Sequence, residues 1–562
     1  MMDRPSPKRR LAALSALLAA MLCIAACAGA QRTAGPKGVT GGDAAAADEA
    51  AAAPPDGGRE PVVYSMNSIV EYMNWDNPVA REITRRTGVA IQWVNVTTNE
   101  AEKIYNWLVG GDYPDLLWLN DKYLGDYVQA HAVHDLTDLI EAHGPNIKAA
   151  FDNDLSDLRQ ADGRIWALRA PPAAEIDNLG ARGWIHIQIA VLEEAGWPEI
   201  NSLDDVYNVV KRYAENHPVI NGGKTIGFSN YGNDNQFYNN FELASSGQYM
   251  GGDVAFGPVA IAEDNTVRYK WFDEGATDVL RFLNRANADR LFDPEWLVQT
   301  PEQFKAKCAQ GRVLAALVAV PCSGDLEKLG MPDRQYLSFD LVRPGAVRKV
   351  GIDRKGNDRW LAVSANVDDP VRAVRFLDEM YKLDNQILLG WGIEGEHYRV
   401  VDGVRTIADG LYDSITRRPD GYEQVGLSYG RFFMLPWQPG AKLIDGDYAR
   451  FNISAGWYEA GMNRTIKDAL ARYGATTFKD LLVDEVYVEM PYASMQVPND
   501  AVTWRTEAIR EWSKAATAVI LEPDPSRIDR IWADFEQTLR AKGLEAQNAL
   551  LTRLYAEFLA GR

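Results

Sequence analysis

Residues whose types and spacing could do chemistry fall into two groups: short signatures that look catalytic, and aromatic residues flanked by amides and carboxylates. Gly426-Leu-Ser428-Tyr-Gly430 has the G-x-S-x-G spacing of a nucleophile elbow, in which a sharp strand-to-helix turn exposes a serine hydroxyl. No hydrophobic strand precedes it, and Arg431-Phe-Phe-Met-Leu-Pro436 is not a helix start, so the elbow is rejected. Gly390-Trp-Gly392-Ile-Glu-Gly395 has the dinucleotide spacing but follows a helical pattern instead of a strand. Gly223-Lys224-Thr225 resembles the end of a phosphate loop, yet Pro218 stands where the first glycine is needed. Of six histidines only His131 and His134 lie close together, without a carboxylate or cysteine set of metal-ligand spacing. No catalytic residue, cofactor or metal is assigned.

The second group suits recognition. Trp75 stands between Asn74 and Asp76, and Trp118 is followed by Asn120 and Asp121. Indole faces stack on sugar rings, while short amides and carboxylates bond hydroxyls. The same residues also plug cores, cap helices and form turns, and Asn120 has the strongest claim to capping. Arg169 precedes Pro171-Pro172, and Tyr231 lies in the Gly- and Asn-rich loop Asn230–Gln236. Trp391, Glu394 and His397 share one stretch whose ordinary role is structural, Glu394 being the exception, and Trp437 is flanked by prolines. The candidate binding residues are thus Asn74, Trp75, Asp76, Trp118, Asn120, Asp121, Arg169, Tyr231, Trp391, Glu394 and Trp437.

Elements of regular period must position them. Pro61–Met66 predicts a strand, Pro78–Thr87 a helix closed by Gly88, Val89–Val96 a strand, Glu100–Val109 a helix stopped at Gly110-Gly111, and Asp115–Leu119 a third strand. This alternation predicts a mainly parallel sheet covered on both faces, whose ligands sit beyond the carboxyl ends of the strands. The loops Asn67–Asn77 and Asn120–Tyr123 lie at those ends. Further on, Ser202 and Thr300 read as helix caps, with Asp205 and Gln303 three residues later, Asp369-Pro370 opens another helix, and Arg527–Ala541 is helical.

The chain of 562 residues has room for several packing units or two large lobes, and its net charge of −19 disfavours nucleic acid. Arg4, Lys8, Arg9 and Arg10 precede the apolar run Leu11–Ala26, an export signal too short to span a bilayer. Ile24-Ala25-Ala26-Cys27 resembles a bacterial lipobox, which makes Cys27 the lipidated mature N-terminus. Ala28–Glu60 contains no aromatic residue and reads as a flexible tether. Cys308 and Cys322 remain, either paired or as two buried thiols.

Gly111–Phe151, Ala161–Ala170, Leu192–Tyr213, Phe292–Val313 and Trp391–Arg405, in that order, resemble the extracellular solute-binding lipoproteins of family 1. More narrowly they resemble the long oligosaccharide-type members of Paenibacillus-like Gram-positive bacteria. The resemblance runs over nearly the whole body from Pro61. It implies an α/β, two-lobed periplasmic-binding-protein-like fold (type II) with a multi-segment hinge, an oligosaccharide trapped between the lobes, delivery to ABC permease subunits, and no chemistry. The implied division is signal peptide 1–26, lipidated cysteine and tether 27–60, first lobe 61–180, second lobe 181–358, first lobe again 359–435, and second lobe with C-terminal helices 436–562. Many relatives carry a calcium-like loop where this chain has His217–Ile226 without the carboxylates, so no calcium is expected there.

The expectation is a monomer held at the outer face of the cytoplasmic membrane by its lipid. Two other readings stay open: a secreted carbohydrate-active enzyme using a carboxylate pair, and a surface protein that presents a solute or peptide to a membrane sensor.

Overall fold

Asn77, Pro78 and Gly88 delimit the first helix. The Asn77 side chain accepts from the Ala80 amide, Pro78 fills the first turn, and Gly88 at φ +67° closes the helix by donating to the Thr84 carbonyl. The computed structural model describes residues 60–560 apart from 97, 181–182, 184, 232–247, 250–258, 263, 273–274, 318–322, 341–347, 353–358, 437–439 and 490–496. The export signal, Cys27 and the tether up to residue 59 therefore lie outside the described residues.

The principal elements are β1 (Val62–Ser68), α1 (Pro78–Thr87), β2 (Val89–Asn95), α2 (Glu100–Gly110), β3 (Leu116–Asn120), α3 (Asp121–Gln129), β4 (Ile185–Gln188), α4 (Leu203–Asn216), β5 (Ile226–Ser229), α5 (Asp278–Ala288), α6 (Pro301–Ala309), β6 (Val313–Ala316), β7 (Tyr336–Phe339), β8 (Arg359–Val363), α7 (Pro370–Met380), α8 (Leu383–Trp391), α9 (Arg464–Arg472) and three closing helices, α10 (Asn499–Leu521), α11 (Ile528–Ala541) and α12 (Leu544–Ala560). Ser202 caps α4 by accepting from Asp205, and Thr300 with Gln303 forms a capping box on α6.

Two sheets anchor two lobes. In the first, ordered β8-β3-β1-β2, the strands β1, β2 and β3 run parallel, with Met66 opposite both Trp93 and Leu116. β8 lies antiparallel on the outer edge of β3, with Leu361 opposite Trp118. It arrives from the second lobe and not through a crossover helix, so the constraint that makes the other strands parallel does not act on it. The second sheet, β7-β4-β6-β5, pairs β6 parallel to β5 and places β4 antiparallel between β6 and β7. The first sheet is thus mainly parallel, as the alternation of its opening elements predicts, with one antiparallel edge strand, while the second sheet is mixed.

Each lobe has its own hydrophobic core. The first draws on residues from Tyr64 to Leu168 and again from Trp360 to Phe451. The second draws on Ile185 to Phe339 and again on Ile466 to Tyr555. The chain crosses three times, in 169–184, 340–359 and 452–465. The sequence-based boundary at 436 falls too early, because Phe451 still packs in the first core. What happens near Pro436 is different: Leu435, Ala441, Leu443 and Ala449 pack on Ala173, and Ala441-Lys442 pairs antiparallel with Glu175-Ile176. The third segment there reaches the first crossover without leaving its lobe. His217–Ile226 contains a tight hairpin, Val219-Ile220 paired with Gly223-Lys224, turned by Asn221 at φ +49° and Gly222 at φ +78°. Among the described residues no helix is long and apolar enough to cross a membrane.

Candidate functional site

At the carboxyl ends of the first lobe's parallel strands, aromatic rings form a connected array. Trp75 lies 4.9 Å from Tyr429, Tyr429 stacks on Trp93 at 5.9 Å, Trp93 lies 5.1 Å from Phe432, and Phe432 lies 4.9 Å from Trp118. The Trp75 indole donates to Thr84 Oγ1 at 2.8 Å. Among the described residues the buried indole nitrogens of Trp93 and Trp118 have no hydrogen-bond partner. Burial pushes the Tyr429 phenol well above its usual value, and its hydroxyl donates to the Asn74 carbonyl.

The array ends in a group of charged and polar side chains gathered by the β3–β8 register, which sets Arg359 opposite Asn120 and Trp360 opposite Leu119. The Arg359 guanidinium lies 4.6 Å from the Trp118 ring and is held bidentately by Glu100 at 2.7 and 3.3 Å. The Trp360 indole donates to Asp121 at 2.5 Å, and Arg169, only 5% exposed, places its guanidinium 4.7 Å from the Trp360 ring. Asn120 caps α3 by accepting from the Tyr123 amide. The structure therefore brings together Trp118, Asn120, Asp121 and Arg169, and adds Arg359, Trp360 and Glu100.

In the second lobe the carboxyl end of β5 carries Ser229, Asn230 and Tyr231. Ser229 donates to Asp293 at 2.7 Å, and Lys307 bonds both Asp293 oxygens at 3.0 and 2.8 Å and Gln299 Oε1 at 2.8 Å. Gln299 in turn donates to Ser229 Oγ and to the Asn230 carbonyl. Asn230 is 1% exposed, and among the described residues neither its amide nitrogen nor its amide oxygen has a partner. The Tyr231 ring lies 5.0 Å from Phe304, over the small cluster that buries Cys308. Residues 232–236 of this loop, Cys322 and Trp437 lie outside the described residues.

Other candidates serve the scaffold. Trp391 is fully buried and donates to the Tyr448 carbonyl at 2.7 Å, so it is a packing residue and not a ligand contact. The Trp118 ring, 3% exposed and covered by Phe432 and Arg359, is part of the wall and not an open stacking face. Asn74 closes its own turn by accepting from Asp76 and donating to Tyr72, and the exposed Asp76 pairs with Arg81 at 3.1 Å. Buried His397 accepts from the Ile393 amide, and burial holds its imidazole below the usual range. Exposed Glu394 lines a cavity of about 330 Å³ on the first lobe, with Glu82, Arg85, Ile387 and Tyr398 among its neighbours. That cavity shares no lining residue with the strand-end clusters. Arg85, then Arg86, hold the Glu82 carboxyl at about 2 against its burial. Ser428 of the G-x-S-x-G stretch points its hydroxyl at Met73 Sδ, 3.5 Å away.

The crossovers carry their own polar node. Asp177 accepts from Tyr448 at 2.8 Å, pairs with Lys479 of the second lobe's chain segment, and lies 4.0 Å from Lys442. Burial raises the Asp177 carboxyl, but Lys479, Tyr448 and Lys442 outweigh it and hold it below the ordinary carboxylate range.

Sequence reasoning finds Trp75 and Trp118 because they flank polar loops. It passes over Trp93, Phe432 and Phe433, which sit in an apolar strand and an irregular segment, and over Arg359, whose role depends on a strand arriving from the other lobe. Their only shared signal is aromatic or cationic character next to a strand end.

Comparison with solved structures places this architecture. The alginate-binding protein AlgQ2 without calcium ion aligns at a TM-score of 0.54 and 16% identity, covering 88% of this chain and 98% of that one. A human-milk-oligosaccharide (HMO)-binding, ABC-transporter-associated solute-binding protein from Bifidobacterium longum infantis aligns at 0.57 and 14%, covering 88% and 99%. The ABC-transporter substrate-binding protein FusA of S. pneumoniae, in complex with kestose, aligns at 0.54 and 15%, covering 89% and 100%. No protein-family model matches the sequence, and comparison with curated proteins gives no match. At these identities the likeness establishes the fold: this chain has the two-domain α/β architecture of the solute-binding proteins that serve ABC transporters.

Proposed function

We propose that this protein is an exported solute-binding protein that captures an oligosaccharide between its two strand-end clusters and delivers it to the permease subunits of an ABC transporter. The observation that carries the reading is the connected array Trp75–Tyr429–Trp93–Phe432–Trp118, placed at the carboxyl ends of parallel strands beside two interlobe crossovers. Of these rings the half-buried Trp75 and Trp93 supply contact area, the buried Tyr429, Phe432 and Trp118 back them, and the adjoining Arg169, Asp121 and Asn230 supply polar groups that fix orientation. A ligand favours closure only by touching both lobes, and the three crossings form the hinge about which they move. Lipid attachment at Cys27 and the tether to residue 60 hold the body at the outer face of the membrane as a monomer, in the manner of the family-1 lipoproteins that the sequence resembles. The remaining candidates Asn74, Asp76, Tyr231 and Trp437 belong to the same proposal as loop contacts, whereas Glu394, in its separate cavity, does not.

Thermal unfolding of the full-length protein against a panel of oligosaccharides, with chromatography of the recovered sugar, tests the reading. Ligand at about 100 times its dissociation constant adds about 2.7 kcal/mol of stability. A raised midpoint with sugar recovered intact supports capture without chemistry. Cleaved sugar would replace the reading with a carbohydrate-active enzyme, and no shift with any sugar would remove it.

A further inference from the structure

The two strand-end clusters differ in a telling way between their charged and their neutral groups. Each charged side chain named in them already has a partner: Arg359 is clasped by Glu100, Lys307 is bonded to Asp293 and Glu295, and Asp121 accepts from Trp360. Arg169 faces the Trp360 ring and is partnered as well, as is Asp340 just beyond the carboxyl end of β7. Apart from the Nε of Arg169, a residue that is itself partnered, the hydrogen-bonding groups of the two clusters left without a partner among the described residues are neutral. They are the indole N–H groups of Trp93 and Trp118 in the first lobe and both ends of the Asn230 amide in the second.

Buried polar groups normally find partners, so an amide that is 1% exposed with both atoms unpaired is a cost that a binding site can recover and a plain core cannot. The chemistry of these groups is selective. A sugar hydroxyl both donates and accepts, and a carboxamide presents a donor and an acceptor side by side, which matches two adjacent hydroxyls. A uronate or sulfated sugar would instead need a cation not already satisfied. To bind one, Arg359 would have to release Glu100 and leave a half-buried carboxylate unpaired.

The geometry points to an uncharged oligosaccharide as the ligand, with the Asn230 amide receiving a pair of adjacent hydroxyls. This rests on the proposed function above and narrows its substrate class.

Calorimetry of the full-length protein, with uncharged oligosaccharides from disaccharide to hexasaccharide and with oligogalacturonates of the same lengths, tests it. Binding of an uncharged sugar is expected, with an affinity that hardly changes between low and high NaCl. Asn230→Leu, of similar volume, is expected to weaken that binding about tenfold or more while leaving the thermal midpoint unchanged or higher, since the buried amide has no protein partner to lose. Oligogalacturonate bound in preference, with an affinity that falls as salt rises, would overturn the inference while leaving sugar capture intact. An Asn230→Leu variant that binds as wild type, or that unfolds at markedly lower temperature, would remove Asn230 from the site. Absence of binding by either class would overturn the proposed function itself.

Discussion

Arg359, the first residue of β8, lays its guanidinium 4.6 Å from the ring of Trp118 on β3, and the same guanidinium is clasped by Glu100 of α2. One side chain thus ties the returning strand, the end of a parallel strand and the helix between its neighbours. Replacing Arg359 by Ala removes a cation–π contact and a half-buried ion pair together and leaves Glu100 without its cation. The expected cost is about 1–3 kcal/mol in urea unfolding. Arg359→Lys keeps the charge but not the fork and should recover only part of it. An Ala variant as stable as wild type would show that the contact holds nothing.

Lys307 and Asp293 form a pair with side chains 13% and 1% exposed. Lys307→Ala strands the Asp293 carboxylate in the second lobe, and about 3–5 kcal/mol of stability should go with it. The double replacement Lys307→Met with Asp293→Asn should restore a large part. Unfolding midpoints of both variants, measured side by side, check the sign.

Trp391 and Trp75 should separate by assay. Trp391→Ala opens a cavity in the first core and abandons a hydrogen bond to Tyr448, an expected loss of about 3–5 kcal/mol, while sugar affinity of the folded fraction stays the same. Trp75, half-buried at the rim of the ring array, should respond in the opposite manner: Trp75→Ala weakens sugar binding more than it weakens the fold. Equal effects of the two changes on affinity would contradict this division.

Asp177 makes the crossovers sensitive to acid. Its carboxyl is held below the unfolded value, so the stability it contributes is complete above an unfolded pKa of about 3.9 and fades as pH falls through the folded one. The stability difference between wild type and Asp177→Asn should therefore be constant at neutral pH and shrink on acidification below about pH 4. Denaturant midpoints collected across that range decide the matter, and a difference that grows toward low pH would contradict it.

The opening βαβ unit is legible because its signals are local: Asn77, Pro78 and Gly88 bracket one helix, and Val89 follows at once with a strand. The caps at Ser202 and Thr300 are read for the same reason. The ring array is not local. Trp93 meets Tyr429 and Phe432 only after the chain has built the second lobe and returned, and no periodicity around Trp93 announces partners so far along the sequence. The misplaced boundary at 436 has the same origin, since Pro436 resembles a linker in composition while Ala441-Lys442 pairs with the first crossover. In the sequence Asn230 reads only as part of a polar loop, because lack of a partner is a property of the folded state.

The antiparallel seat of β8 also sets an order of assembly. During synthesis, β3 emerges long before Arg359–Val363, and until those residues arrive its outer edge offers unpaired amides and carbonyls to any other strand. The first lobe's sheet, though first to begin, is thus the later of the two to be completed, and its closure waits on a contact spanning the whole of the second lobe's first segment. Such a distant pairing slows folding and prolongs exposure of a sticky edge. A fragment ending before β8 would carry that edge permanently and belongs among species that associate, while the second lobe's four-stranded sheet, complete by Phe339, waits for no later strand.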